Sequence, residues 1–162
     1  MKLSIAALSG LILAGAVAST AIGDGNHDAE SAKAAIKARQ AQMTLYAFNI
    51  GVLGGMAKGE TDYDAATASK AASNLATLAT LDQSRMWPPG SDNFELGGEV
   101  TAALPAIWAA DSDIGAKGMA FAEAAAAMNG AAGNGLEALR GAMGALGNSC
   151  GGCHKAYRQS KN

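Results

Sequence analysis

Residues 136–159 read LEALRGAMGALGNSCGGCHKAYRQ, and their spacing decides the fold. Leu136, Leu139, Met143, Leu146, Cys150, Cys153 and Tyr157 recur alternately three and four residues apart, the seam of one helix in a bundle. Both cysteines continue that seam, so they belong to its core face. His154 falls on the edge of the same stripe, one residue after Cys153 and four after Cys150. Cys-x-x-Cys-His is also the attachment pattern of a c-type haem. Each thiol adds across a vinyl group to give a thioether, and the adjacent imidazole becomes the proximal iron ligand. The expectation is one covalent haem c per chain, inside the bundle and against this helix. Two other uses of the motif fit less well. A thioredoxin-like dithiol belongs near a βαβ pattern, and no segment here alternates with a strand period. A closed zinc site needs four ligands, and His27 is the only other Cys or His in the chain.

Composition agrees with a bundle built around a large filler. Hydrophobic residues make up 49% of the chain, much of it alanine, and there are only two Trp, three Tyr and three Phe. Such thin helices have too little bulk to fill a core alone. The net charge of −2 leaves no basic stripe to meet phosphates, which excludes nucleic acid as a partner class. Both cysteines belong to the motif, so no structural disulfide is expected. No serine–histidine–carboxylate set is evident. The chain is expected to change the oxidation state of iron and not to be an enzyme.

Residues 1–21 read as an export signal. Lys2 gives a positive start, Leu3 to Ala18 is an apolar and small run, and Ala16-Val17-Ala18 or Ser19-Thr20-Ala21 suits cleavage. The run is shorter than the roughly 20 residues that span a bilayer, so no stable membrane insertion is expected after cleavage. Export fits the motif and predicts a periplasmic protein. The haem domain is then residues 22–162.

Three more helices precede the last. The first is expected from about Asp28 to Lys58, with Ile36, Gln40, Met43, Ala47, Ile50 and Gly54 as its seam. Gly59-Glu60-Thr61-Asp62 ends it and caps the second, which runs from about Tyr63 to Leu81. Trp87-Pro88-Pro89-Gly90-Ser91 cannot continue a helix, and a long crossover loop extends to Pro105. The third begins near Ala106 to Ser112 and ends at Asn129-Gly130. The fold class is therefore all-α: an antiparallel four-helix bundle with one long crossover between helices two and three.

These features together resemble cytochrome c prime and its class II relatives. The resemblance rests on Cys150, Cys153, His154, Tyr157 and Arg158, on Arg39-Gln40 followed by Thr44-Leu45, on Lys58-Gly59-Glu60, and on Ala106-Ile107-Trp108 at the opening of the third helix. In typical members an apolar residue of the first helix crowds the distal face, and the five-coordinate, high-spin iron binds NO or CO. In low-spin relatives a methionine from that helix ligates the iron. Met43 falls at the crowding position. By spacing alone a methionine on a core stripe is ordinarily a gap-filler. The resemblance to the low-spin, c-556-like branch implies Met43 as distal ligand opposite His154, and a periplasmic electron carrier served by redox partner proteins. The alternative is the open, gas-binding form.

Two arginines complete the candidate site. Arg39, one turn before Met43, is placed to reach the haem propionates as a charged donor, or else is a solvated surface residue. Arg158, one turn after His154, packs beside the imidazole as the matching family residue does, or offsets the helix dipole. Leu45, Phe48, Val52 and Met56 form a second stripe on the first helix. It packs on the second helix or serves a homodimer, which is common in the family.

Overall fold

The computed structural model describes residues 24–160, with side chains from Ala29 onward. The signal expected over residues 1–21 lies outside the described residues, as does the side chain of His27. Helix α1 spans Asp24–Lys58, α2 Ala65–Ala79, the short α3 Asn93–Leu96, α4 Ile114–Ala131 and α5 Leu136–Tyr157. Each long helix packs on two neighbours: α1 on α2 and α5, and α4 on α2 and α5. The crossover with α3 lies between α2 and α4. This is the four-helix bundle with one long crossover that the spacing predicts.

Helix ends follow local chemistry. Gly59 closes α1 with φ +76°, a left-handed conformation that a side chain would strain. Asp64, rather than Asp62, caps α2, accepting from the Thr67 N–H at 2.7 Å. Helix α4 starts at Ile114, later than expected, because Pro105–Trp108 forms a separate 3-10 turn. The apolar core is drawn from all four long helices: Tyr46, Leu53 and Met56, then Ala68, Ala72 and Leu75, then Ala125 and Met128, then Leu139 and Leu146.

The last helix keeps the expected seam. Leu139, Leu146 and Tyr157 are buried, and Leu136, Met143, Cys150 and Cys153 half-buried. The first helix departs from it. Ile36 of the expected seam is buried, but from Arg39 onward the buried stripe is Arg39, Gln42, Tyr46, Asn49, Leu53 and Met56, one position ahead of that seam, while Gln40, Met43 and Ala47 are exposed. The shift has a polar cause: three stripe residues are hydrophilic and stay buried because they are bonded. Gln42 Nε2 donates to the Leu78 carbonyl at 3.0 Å and to Tyr46 Oη at 2.8 Å. Asn49 Oδ1 accepts from Asn74 Nδ2 at 3.0 Å. Arg39 reaches into the crossover.

That crossover is an ordered strap. It contains 3-10 turns at Ser84–Met86 and Pro105–Trp108, with α3 between them. Its far side is sewn to the end of α5. Ala103 and Arg158 form an antiparallel bridge, Leu104 N–H donates to the Tyr157 carbonyl at 3.0 Å, and Gln159 N–H donates to the Ala102 carbonyl at 2.7 Å. Ala103, Ile107 and Tyr157 make a second small core there, with Trp87, Trp108, Ile114 and Cys153 packed against it.

Candidate functional site

Antiparallel register sets Met43 and His154 at one level of the bundle, with Met43 39% exposed on the flank of the buried stripe. Arg140 Nε donates to the Ala57 carbonyl at 2.7 Å, so the start of α5 lies beside the end of α1. A methyl at Gly54 would sit 3.8 Å from Met143 Cε, one turn further along the pair. Eleven residues on from that contact, along each helix, stand Met43 and His154. Two helices of equal rise therefore hold them at one level. Tyr46 belongs to the same region: its hydroxyl pKa is raised, chiefly by burial, and the thiol of Cys150 contributes. Phe121 of α4 packs on Tyr46 with ring centroids 4.6 Å apart.

The core is interrupted at this level. Between Leu146 and Tyr157, about 16 Å of helix, no side chain of α5 is buried. Along α4, none is buried from Ile114 to Ala124. These two segments lie side by side, since the Asp113 N–H before α4 donates to Tyr157 Oη at 2.9 Å. Cys150, Cys153 and His154 all occur in that interval. The main core ends at Leu146 and the second begins at Tyr157, so a large apolar group bound at Cys150, Cys153 and His154 would join them. The residues present fit a porphyrin.

The electrostatics disfavour the other uses of the motif. Burial is the main cause raising both thiol pKa values. A reactive dithiol or a zinc thiolate needs the opposite shift. Among the described residues no group of three or more His, Cys, Asp or Glu side chains could hold a metal ion by itself. The imidazole of His154 has its pKa lowered, first by burial and then by the positive charge of Arg158. A neutral imidazole is the form that ligates iron. His154, Arg158, Gly151, Lys155 and Ser160 line a cleft of about 390 Å³.

Arg39 is employed differently from the expectation. It is only 3% exposed, which removes the solvated reading. Nη1 donates to the Met86 carbonyl at 3.1 Å and to Ser91 Oγ at 2.7 Å. Nη2 donates to the Ser91 carbonyl and, at 2.9 Å, to Thr101 Oγ1. The guanidinium carbon also lies 4.7 Å from the centroid of Trp87. Its terminal donors thus hold the strap, where a propionate was expected. Residue patterns gave no notice of Trp87, Tyr46 or Phe121 as neighbours of the site. The adjoining prolines marked Trp87 only as a helix stop.

An all-α bundle with paired thiols and an imidazole on the inner face of its last helix is a c-type haem protein. A family model described as "Cytochrome C'" matches residues 34–158, and the chain belongs to that family. It is 48% identical over 132 residues to cytochrome c-554 of Cereibacter sphaeroides, covering 82% of this chain and 85% of that one. It is 43% identical over 130 residues to a cytochrome c' of the same organism, covering 80% and 86%. The solved structure of cytochrome c' from Rhodobacter spheriodes superposes with a TM-score of 0.76 at 42% identity, over 80% of this chain and 98% of that one.

Membership makes this an electron-transport haem protein with one covalently bound haem c, and not an enzyme. It also corrects the expected branch. The matched family model and solved neighbours such as those from Rhodobacter spheriodes and Thermochromatium tepidum carry the name cytochrome c'. They support the broad family, dominated by the high-spin form, and overturn the assignment to a low-spin, c-556-like His/Met carrier. That expectation takes Met43 as a ligand from the resemblance to the low-spin branch, and a thioether at the crowding position serves as apolar bulk equally well. No helix among the described residues is long and apolar enough to cross a membrane.

Proposed function

We propose that the chain is a five-coordinate, high-spin cytochrome c' that binds NO or CO at its haem. Cys150 and Cys153 supply the thioethers, His154 the proximal nitrogen, and Met43 the apolar crowding of the opposite face. The observation that supports this reading is the match to cytochrome c' in the family model and in solved structures, together with the level register of Met43 and His154. The haem supplies a redox-active iron that takes up small diatomic molecules. The chain's own residues anchor it, exclude water and limit what approaches. One solved relative, 33% identical with a TM-score of 0.69, is described as the nitric oxide complex of a mutant cytochrome c prime from Alcaligenes xylosoxidans.

Visible and near-infrared spectra of the ferric and ferrous protein test this reading. A high-spin ferric spectrum and ready CO uptake are expected, with faster uptake in Met43→Ala. A low-spin ferric spectrum that Met43→Ala converts to high-spin would overturn it.

We further infer export to the periplasm, with cleavage near Ala21, and exchange of single electrons with redox proteins. A homodimer through α1 is supported by Leu45 and Phe48, which are 48% and 68% exposed. A solved relative at 27% identity is described as a cytochrome c' with ligand-controlled dimer dissociation. N-terminal sequencing of the periplasmic protein tests the cleavage.

A further inference from the structure

The buried guanidinium of Arg39 touches three separated points of the strap: Met86 near its start, Ser91 in its middle and Thr101 near its end. Gln40, the next residue, donates from Nε2 to the Val100 carbonyl at 3.0 Å. The other side of the strap is bonded to Tyr157 and Gln159 at the end of α5. One segment therefore bridges the helix of Met43 and the helix of the haem motif. Trp87 is its inner face. The ring lies under Arg39, the Trp87 carbonyl accepts from Trp108 Nε1 at 3.0 Å, and both tryptophans pack, as Cys153 does, against the small core of Ala103, Ile107 and Tyr157.

A solvated arginine would not be buried, and the terminal nitrogens of this one are engaged with the strap. We propose that Arg39 is a positioning residue for the haem, acting through Trp87: it holds the strap as the wall beside Cys153 and so limits solvent and ligand access. Bidentate geometry matters to this role. A guanidinium presents its donors in a fixed planar fork, whereas an ammonium is a point charge that cannot reach all these acceptors in one geometry. Haem potential depends on burial and local dielectric, so loosening the wall favours the ferric form. The inference rests on haem attachment at Cys150 and Cys153 but not on the spin state, which the ferric spectrum reports separately.

The test uses the haem-loaded protein with Arg39→Lys and Trp87→Leu. Arg85 is exposed within the strap's first turn, so trypsin cleavage after it reads strap release directly. Arg39→Lys is expected to speed that cut about tenfold, to favour the ferric form about threefold in a redox titration, and to raise the CO association rate several-fold. Trp87→Leu keeps the guanidinium, and is expected to move potential and CO rate in the same directions with a smaller gain in cleavage. Thr101→Val, which removes a single acceptor, gives a graded effect should the lysine variant fold poorly. Wild-type potential and CO rate in Arg39→Lys would assign the residue a charge role only and overturn the proposal. Faster cleavage with both haem readouts unmoved in Arg39→Lys and Trp87→Leu would make the strap purely structural and overturn it equally.

Discussion

Tyr157 Oη donates to Asp113 Oδ1 across 2.5 Å and accepts from the Asp113 backbone N–H at 2.9 Å. One phenol thereby fixes the last turn of α5, three residues past His154, to the start of α4. The Tyr157 bond is the main reason the Asp113 carboxyl titrates below the ordinary carboxylate range, with Lys117 adding to it. A depressed carboxylate contributes stability above its unfolded value, about pH 4, and loses it as pH falls through the lower folded value. Tyr157→Phe is expected to lower the urea midpoint at pH 7 and to flatten the acid limb below about pH 4. An unchanged acid limb in Tyr157→Phe would show the bond to be energetically silent. The carboxylate is exposed, so added salt is expected to shrink the effect.

Leu146 is the last fully buried side chain before the haem motif. Truncation there opens a cavity at the junction of core and haem. Leu146→Ala is expected to cost about 2–5 kcal/mol in urea unfolding of the haem-loaded protein. A loss under about 1 kcal/mol would mean that the site collapses readily around the smaller side chain.

Thioether chemistry gives a prediction independent of stability. With Cys150→Ala and Cys153→Ala combined, acidified acetone is expected to extract all the haem, whereas either single variant retains a covalent link. Haem that resists extraction from the double variant would place its attachment elsewhere.

Leu45 and Phe48 are exposed on α1, and Leu45 lines a groove between α1 and α2 with Asn49, Asn74, Thr77 and Leu78. Sedimentation is expected to show a dimer that Phe48→Glu dissociates, weakening association at least about a hundredfold, since a buried unpaired charge costs several kcal/mol. A dimer of wild-type strength in Phe48→Glu would move the interface off α1.

What the chain declared in advance and what it hid follow one physical division. In α5 the inward side chains are Leu, Met, Cys and Tyr, so apolar spacing located the core face and the haem ligands with it. In α1 the inward face holds Arg39, Gln42 and Asn49, each buried and bonded to a partner distant in sequence. A hydrophobic pattern cannot see those partners, and it chose the neighbouring stripe. The crossover was legible as a long connection from its prolines and glycines; its internal order was not, because that comes from bonds to Arg39 on one side and Tyr157 and Gln159 on the other. Met43 was legible as a position and not as a role, because the choice between ligation and crowding is not encoded in residue type.

The bridge between Ala103 and Arg158 imposes an order of events on the newborn chain. Residues 84–109 and their partners at Tyr157 to Gln159 lie far apart in the chain, so the belt cannot buckle until α5 has formed to its last turn. Cys150 and Cys153 stand just before that buckle, so the helix that carries the thiols must be in place before the belt can close over it.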